Sequence, residues 1–409
     1  MKTNKLRAWC VAVGLLALTL APGRGETAEA AGLARMVDEI AATEGITNRL
    51  VLEAMRATPR HAFLPAAGRK WAYFDMAVPI GQAQTATPPS LVALMTDRLG
   101  PEPGDRVLEV GTGCGYQAAV LSRLVREVHT IEILPALGRR ARSTLRSLQY
   151  TNVHVRIGDG YLGWPERAPF DKIIVTCSPE SVPGPLIEQL RDGGRLIIPM
   201  GEPYRQLLYL YRKVNGRLER EVLAPTVFVP MRGKADVERA ARADGAHPAL
   251  YNGGFELSDP DTGQLLGWYH QRQVERQGEP PAVEGRQCVR FRNETPGRSA
   301  DAAQMLPVDG RRVTELKLSG MVAGTEIRPG PRPQEIATIV FGFYDAERAL
   351  IAQQTVGDWR GSFAWRAFEG RVTVPAAARE LIVQLGLHGA TGRLALDNLA
   401  LSPVARSSR

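Results

Sequence analysis

The sequence predicts two domains of different class: a doubly wound, Rossmann-like α/β domain and, after it, an all-β jelly-roll sandwich. Three observations carry this. Strand and helix patterns alternate strictly from residue 91 to about 231, short β-prone runs broken by Gly, Pro and Asp fill 251–403, and a charged, Ala-rich stretch at 232–250 separates them as a linker. Alternation of strands with helices gives a parallel sheet covered on both faces, whereas short strands between regular turn signals give a sandwich. With 409 residues and 44% hydrophobic content, the chain is long enough for two ordinary cores.

The first segment reads as a leader. Lys2, Lys5 and Arg7 precede an apolar run at 8–21, with the charge and length of a secretory signal and too few residues for a comfortable membrane span. Pro22, Gly23 and Gly25 break it, and Ala28-Glu29-Ala30 offers a cleavage site, with Gly25 as the alternative, so a signal peptide at 1–30 and a first domain at 31–231 are expected. That reading makes the protein exported, periplasmic or extracellular, with no transmembrane helix after cleavage; an uncleaved anchor is the alternative. Amphipathic helices are expected at 33–40 and 48–55. Next come helix 91–99, strand 107–110, helix 116–125, strand 128–131, helix 135–148, strands 153–157 and 172–175, helix 185–190 and strand 195–198. Asn215-Gly216 joins a closing hairpin, 207–214 and 217–222. In the second domain, strands are expected at 287–291, 313–321, 337–344, 363–374, 380–387 and 392–401.

Net charge is +8, but the arginines are spread along the chain without a basic block, so no nucleic-acid partner is expected. Cys10, Cys114, Cys177 and Cys288 contain no C-x-x-C, which excludes a cysteine zinc site and a disulfide framework. If Cys114 and Cys177, at the ends of neighbouring strands, came close enough, an oxidising compartment could bridge them; two small buried thiols is the plainer reading.

Residues 106–116 read Arg-Val-Leu-Glu-Val-Gly-Thr-Gly-Cys-Gly-Tyr, an apolar strand running into an E-x-G-x-G-x-G turn. Glycines 111, 113 and 115 allow positive φ and a close backbone approach to a ligand. A dinucleotide fingerprint needs its third glycine at 116, where Tyr116 stands, so the turn speaks for S-adenosylmethionine. Glu132 ends the next strand, where such sheets place a carboxylate for ribose hydroxyls. A tight turn without ligand is the alternative.

Six further stretches follow the same order as one known family: Pro59-Arg-His-Ala-Phe-Leu-Pro65, Pro79-Ile-Gly-Gln-Ala-Gln-Thr-Ala-Thr87, Gly158-Asp-Gly160, Phe170-Asp-Lys-Ile-Ile-Val-Thr176, Gly193-Gly-Arg-Leu-Ile-Ile-Pro199 and Phe228-Val-Pro230. With the glycine turn, they make residues 35–231 resemble the protein-L-isoaspartate O-methyltransferases. The resemblance implies methyl transfer from S-adenosylmethionine to the α-carboxylate of L-isoaspartyl residues in damaged proteins or peptides, a repair reaction. It implies cofactor binding by Gln84, Thr85, Glu109, Gly111, Gly113, Gly115, Glu132, Asp159 and Gly160, and substrate contacts from Ile80, Gly81 and Val229. It places Thr87 at the catalytic position, where the family carries serine; threonine keeps the hydroxyl but stiffens χ1, and Pro88 follows. Thr87 can equally be a turn residue ahead of Pro88, Asp159 a turn residue before Gly160, and His61 part of the packing. Two rival functions stay open, a disabled methyltransferase fold serving as a binding platform and a methyltransferase for another carboxylate. Family members being cytoplasmic in general, a cytoplasmic location is the alternative to export.

In the second domain, Asn252-Gly-Gly-Phe-Glu256, Gly267-Trp268 and Leu396-Asp-Asn-Leu-Ala-Leu401 resemble the ends of a galactose-binding-like, carbohydrate-binding-module jelly roll. That likeness implies a structural Ca²⁺ on Glu256 and Asp397. It also implies a glycan ligand, with Trp268, Tyr269, Tyr344, Trp359 and Trp365 as stacking candidates; core packing is the other reading of these aromatics.

Overall fold

The computed structural model describes residues 24–202, 204–233, 245–260, 262–275 and 280–405. Two helices lead in, α1 (Arg24–Thr43) and α2 (Arg49–Arg56), the second capped by Asn48, whose side chain accepts Leu50 N–H. Their buried face, Met36, Val37, Ile40, Val51 and Met55, packs in one cluster with Tyr116 and Val120. A short hairpin follows, β1 (Val78–Gly81) and β2 (Gln84–Ala86), then α3 (Pro89–Leu99), stopped by Gly100 in the left-handed region.

The central sheet is built from β3 (Arg106–Val110), β4 (Glu127–Glu132), β5 (Val153–Ile157), β6 (Phe170–Val175), β7 (Leu190–Glu202), β8 (Arg205–Val214) and β9 (Arg217–Thr226). Helices α4 (Tyr116–Ser122), α5 (Pro135–Ser147) and α6 (Gly184–Gln189) connect its strands. The order is β5-β4-β3-β6-β7-β8-β9, parallel as far as β7 and antiparallel through the closing hairpin. From β3 the chain winds outward through β4 to β5, then returns to lay β6 on the other side of β3. The winding therefore reverses beside β3, and a crevice opens at the carboxyl ends of the strands there. Apolar layers fill both faces: Val107, Val128, Ile174 and Ile197 on one, Leu108, Ile131, Ile173 and Leu196 on the other.

The second domain adds β10 (Val274–Glu275), β11 (Val289–Asn293), β12 (Asp301–Pro307), β13 (Val313–Arg328), β14 (Ala337–Tyr344), β15 (Leu350–Trp359), β16 (Gly361–Thr373), β17 (Glu380–Gly386) and β18 (Thr391–Ala405). They form two antiparallel sheets, β10-β11-β18-β13-β16 and β12-β17-β14-β15. The sheets close over one core in which Phe291, Leu318 and Leu396 meet Phe341, Phe343 and Val383.

Several boundaries differ from the sequence reading. α1 starts at Arg24, so a boundary at residue 30 falls inside a helix. Residues 1–23, with most of the expected leader, lie outside the described residues, as does 234–244 of the expected linker. Gly245 already belongs to the second domain, its carbonyl accepting Asp309 N–H (2.7 Å). Among the described residues no helix is long and apolar enough to cross a membrane. The β1–β2 hairpin escaped the sequence reading, as did three strands of the second domain, β10, β12 and β15. β10 is only two residues long, β12 is almost wholly buried, and β15 is mostly exposed, so none shows a clean alternation. Cys114, Cys177 and Cys288 are thiols in the fold, not disulfide partners.

Candidate active site

The glycine turn sits at the end of β3. Gly111 has φ +102°, and a Cβ there would run into Thr176 Oγ1 on the neighbouring strand end. Gly113 (φ +54°) differs: a Cβ would point toward Ile80 Cδ1, at 3.3 Å, across the space that the turn leaves open. Below the turn, Glu132 at the end of β4 fixes its shape. Gly113 N–H donates to Glu132 Oε2 (2.8 Å), and Leu134 N–H to Oε1 (3.0 Å). Burial raises the Glu132 pKa against the pull of these donors.

A cleft enclosing about 800 Å³, open to solvent, lies over this turn. Its walls bring together Ile80, Gln84, Thr85, Thr87, Gly111, Gly113, Glu132, Gly160 and Val229, residues the sequence analysis had drawn from five separate stretches. The β1–β2 hairpin and the segment after it supply one wall. Val229 supplies the opposite one, held because its carbonyl accepts Ser178 N–H (2.8 Å) at the end of β6. Thr87 stands at the rim, partly buried, and among the described residues no partner occupies its hydroxyl.

Four expected site residues are placed elsewhere. Glu109 is fully buried behind the turn, where Thr130 Oγ1 donates to its Oε2 (2.5 Å) and Thr130 in turn meets Thr112 (2.6 Å). Burial pushes its pKa up to about 8, so it is a neutral acid at pH 7 that shapes the turn from beneath. Every residue of β3 after Arg106 is buried, and of its side chains Val110, at the strand end, lines the cleft. Asp159 does not line the cleft: its Oδ1 accepts Tyr161 N–H (2.9 Å) and caps a single 3₁₀ turn. Gly115 faces Leu145, a packing contact. Gly81 ends β1 at φ +87°, outside the lining.

Arg60 is the functional residue that sequence reasoning missed. It is fully buried, and its guanidinium donates to the carbonyls of Ala72 (2.9 Å), Met76 (3.2 Å) and Thr87 (3.1 Å). One side chain thus pins the segment that presents Thr87. A buried arginine without a carboxylate partner is rare enough that the charged residue within 59–65 was the available signal. His61 is packed structure, Nδ1 lying 2.5 Å from the Tyr73 hydroxyl. Gln117 and Arg232 also line the cleft and carried no sequence signal.

The second domain reaches this region directly. Arg272, its side chain 7% exposed, bonds Asp75, which accepts Ser90 N–H at the start of α3, and it also pairs with Glu44 (3.0 Å). Glu347 Oε2 accepts Ala83 N–H (3.0 Å) at the apex of the β1–β2 hairpin.

A family model described as protein-L-isoaspartate(D-aspartate) O-methyltransferase matches residues 33–236. The protein-L-isoaspartate O-methyltransferase of Opitutus terrae is 47% identical over 223 residues, spanning 53% of this chain and 96% of that protein. Protein-L-isoaspartate O-methyltransferase 2 of an Anaeromyxobacter species is 51% identical over 199 residues, 48% of this chain and 82% of that protein. The chain belongs to the protein-L-isoaspartate O-methyltransferase family. It is an S-adenosylmethionine-dependent O-methyltransferase with a β-sandwich appended beyond the length of these relatives.

The calcium and glycan expectations meet a different arrangement. Glu256 Oε1 accepts the N–H groups of Arg286 and Gln287 (2.8 and 2.9 Å), and Asp397, fully buried, accepts those of Val283 (2.8 Å) and Asn398 (2.8 Å). Both carboxylates tie down the 283–287 loop. Trp268, Tyr269 and Trp359 are buried in the fold, while Tyr344 and Trp365 are partly buried.

Proposed function

We propose that this cleft methylates the free α-carboxylate of L-isoaspartyl residues in damaged proteins. One observation carries the reading: the glycine turn and the Thr87 segment wall the same cleft, so a methyl donor on the first faces an acceptor on the second. The site fits S-adenosylmethionine because the space a Gly113 Cβ would enter is left open. Glu132 keeps lone pairs for ribose hydroxyls beyond those used by its backbone donors, and Gln84 and Thr85 line the same cleft. When bound, S-adenosylmethionine supplies an electrophilic sulfonium methyl group.

The acceptor carboxylate, with a pKa near ~4, is ionised at neutral pH and needs no general base. No histidine lines the cleft among the described residues. The chain's own task is alignment and exclusion of water, which raise the rate of an in-line displacement. Thr87 Oγ1 donates to the carboxylate or its neighbouring backbone, with Ile80 and Val229 as apolar walls. The resulting methyl ester loses methanol to the neighbouring backbone amide nitrogen, forming a succinimide that water reopens in part to normal aspartate. Radiolabelled methyl transfer into an isoaspartyl peptide, beside its aspartyl twin, tests this. Label in the isoaspartyl peptide alone is expected; label in both or in neither overturns the reading.

Export rests on the composition of residues 1–30, and cell fractionation with N-terminal sequencing of the purified protein tests it. A glycan ligand has Tyr344 and Trp365 left to stack on, and a Ca²⁺ at Glu256 and Asp397 would compete with the N–H groups already bound there.

A further inference from the structure

At the end of the sheet opposite the cleft, His129 on β4 stands directly across from His154 on β5, and Glu127 precedes His129 by two residues on the same face. The two imidazoles stack with centroids 5.0 Å apart. His129 Nε2 lies 3.2 Å from Glu127 Oε2, and His154 Nε2 lies 3.9 Å from the same oxygen. The ligating atoms of the three residues all fall within 4.8 Å of one another. Four-coordinate zinc with bonds of about 2.1 Å holds its ligand atoms roughly 3.4 Å apart, so the group has to close, with the exposed His154 as the side chain free to move.

A second observation points to a ligand. The His129 side chain is 1% exposed, yet neither ring nitrogen makes a hydrogen bond. A buried imidazole whose nearest polar neighbour, the Glu127 carboxylate, is not aligned with it is costly. Its Nε2 is close to Glu127 Oε2 but not aligned with it, as expected where both atoms point at a third. Glu127 is oriented for this: its other oxygen, Oε1, takes Arg106 Nε (2.7 Å) and Arg126 (3.5 Å), which leaves Oε2 facing the histidines. Trp164 and Phe170 wall the His129 ring and keep it from turning to other partners. His154 is half exposed and opens the group to solvent.

We propose that Glu127, His129 and His154 bind one divalent transition-metal ion of the zinc class, with a fourth position open to water. Two imidazoles and a carboxylate are the donor set such ions take, and hard cations such as Mg²⁺ would be passed over. β5 is the sheet's edge strand, and the ion would clasp it to β4. The ion would sit at the start of β4, whose far end, Glu132, borders the cleft.

Calorimetry of Zn²⁺ into the full chain, previously stripped with chelator, should show a single site and a rise in melting temperature. Co²⁺ should give the visible bands of a four-coordinate nitrogen–oxygen site. Because His129 is buried and its replacement can unfold the domain, the exposed ligand is the better variant: His154→Gln should keep fold and methyl transfer while weakening Zn²⁺ at least about tenfold. No binding by the wild type overturns the proposal. Equal binding by wild type and His154→Gln also overturns it.

Discussion

Glu132 at the end of β4 and Asp397 at a register shift within β18 make the same local pattern, a carboxylate accepting backbone N–H groups from a neighbouring loop. Their surroundings differ. Around Glu132 the winding reverses, neighbouring connections leave to opposite faces, and the donors it holds shape the floor of an open cleft. Around Asp397 the antiparallel strands close on each other, and the loop it holds folds back over it until nothing of the residue is exposed. The same chemistry yields a site in one domain and a clasp in the other, because topology decides whether a space is left.

The sharpest way to break this comparison is to fill the space. Gly113→Val puts a β-branched side chain at φ +54° and aims it at Ile80. Calorimetry on the full chain should show S-adenosylmethionine affinity lowered by at least about a hundredfold. Unchanged affinity would make the turn merely structural.

The two domains meet at Arg272, which stands among Glu44, Asp75 and Asp301 with little exposure. Arg272→Ala leaves these carboxylates without their cation, at a cost of about 3 kcal/mol, below the largest values for buried pairs because Glu44 and Asp75 still reach water. Urea unfolding measures it. A shift under ~0.5 kcal/mol would mean the sandwich is only tethered to the methyltransferase.

At the cleft itself, Thr87→Ser should hold or raise turnover, whereas Thr87→Val should lower it by about 1.5–3 kcal/mol of transition-state stabilisation with cofactor affinity unchanged. Equal rates for all three proteins would remove the hydroxyl from the mechanism.

What was legible in the sequence follows the range over which each signal acts. Gly111, Gly113 and Glu132 announce themselves within one βαβ unit, because the turn needs positive φ and the next strand end needs an acid. Glu109 sits in the same motif, and composition does not reveal that its carboxylate is buried beneath the turn. Arg60 holds Thr87 from 27 residues away, and Arg272 reaches Glu44 and Asp75 across 228 and 197 residues. No local pattern encodes such partners. In the sandwich, aromatic spacing showed strands but could not separate Trp268, which is core, from Trp365, which is partly exposed.

The smallest effect tests whether the sandwich tunes the substrate side of the cleft. Gln82 and Ala83 form the hairpin apex at φ +58° and +53°, a conformation that costs energy in residues other than glycine and that needs outside support. Glu347 provides it by accepting Ala83 N–H, and it is itself presented by a firm turn in which Asp345 Oδ1 accepts the N–H groups of Glu347 and Ala349, each at 2.9 Å. Ile80, Gln84 and Thr85 hang from this hairpin, so its drift would misplace the acceptor wall and leave the glycine turn untouched. Glu347→Ala should raise KM for an isoaspartyl peptide by at most about fivefold, as expected for an exposed charge-assisted contact. S-adenosylmethionine affinity should fall by no more than the same factor, since Gln84 and Thr85 hang from this hairpin while the glycine turn does not. An unchanged KM would show that the hairpin holds its own shape, and that the sandwich touches the catalytic domain without instructing it.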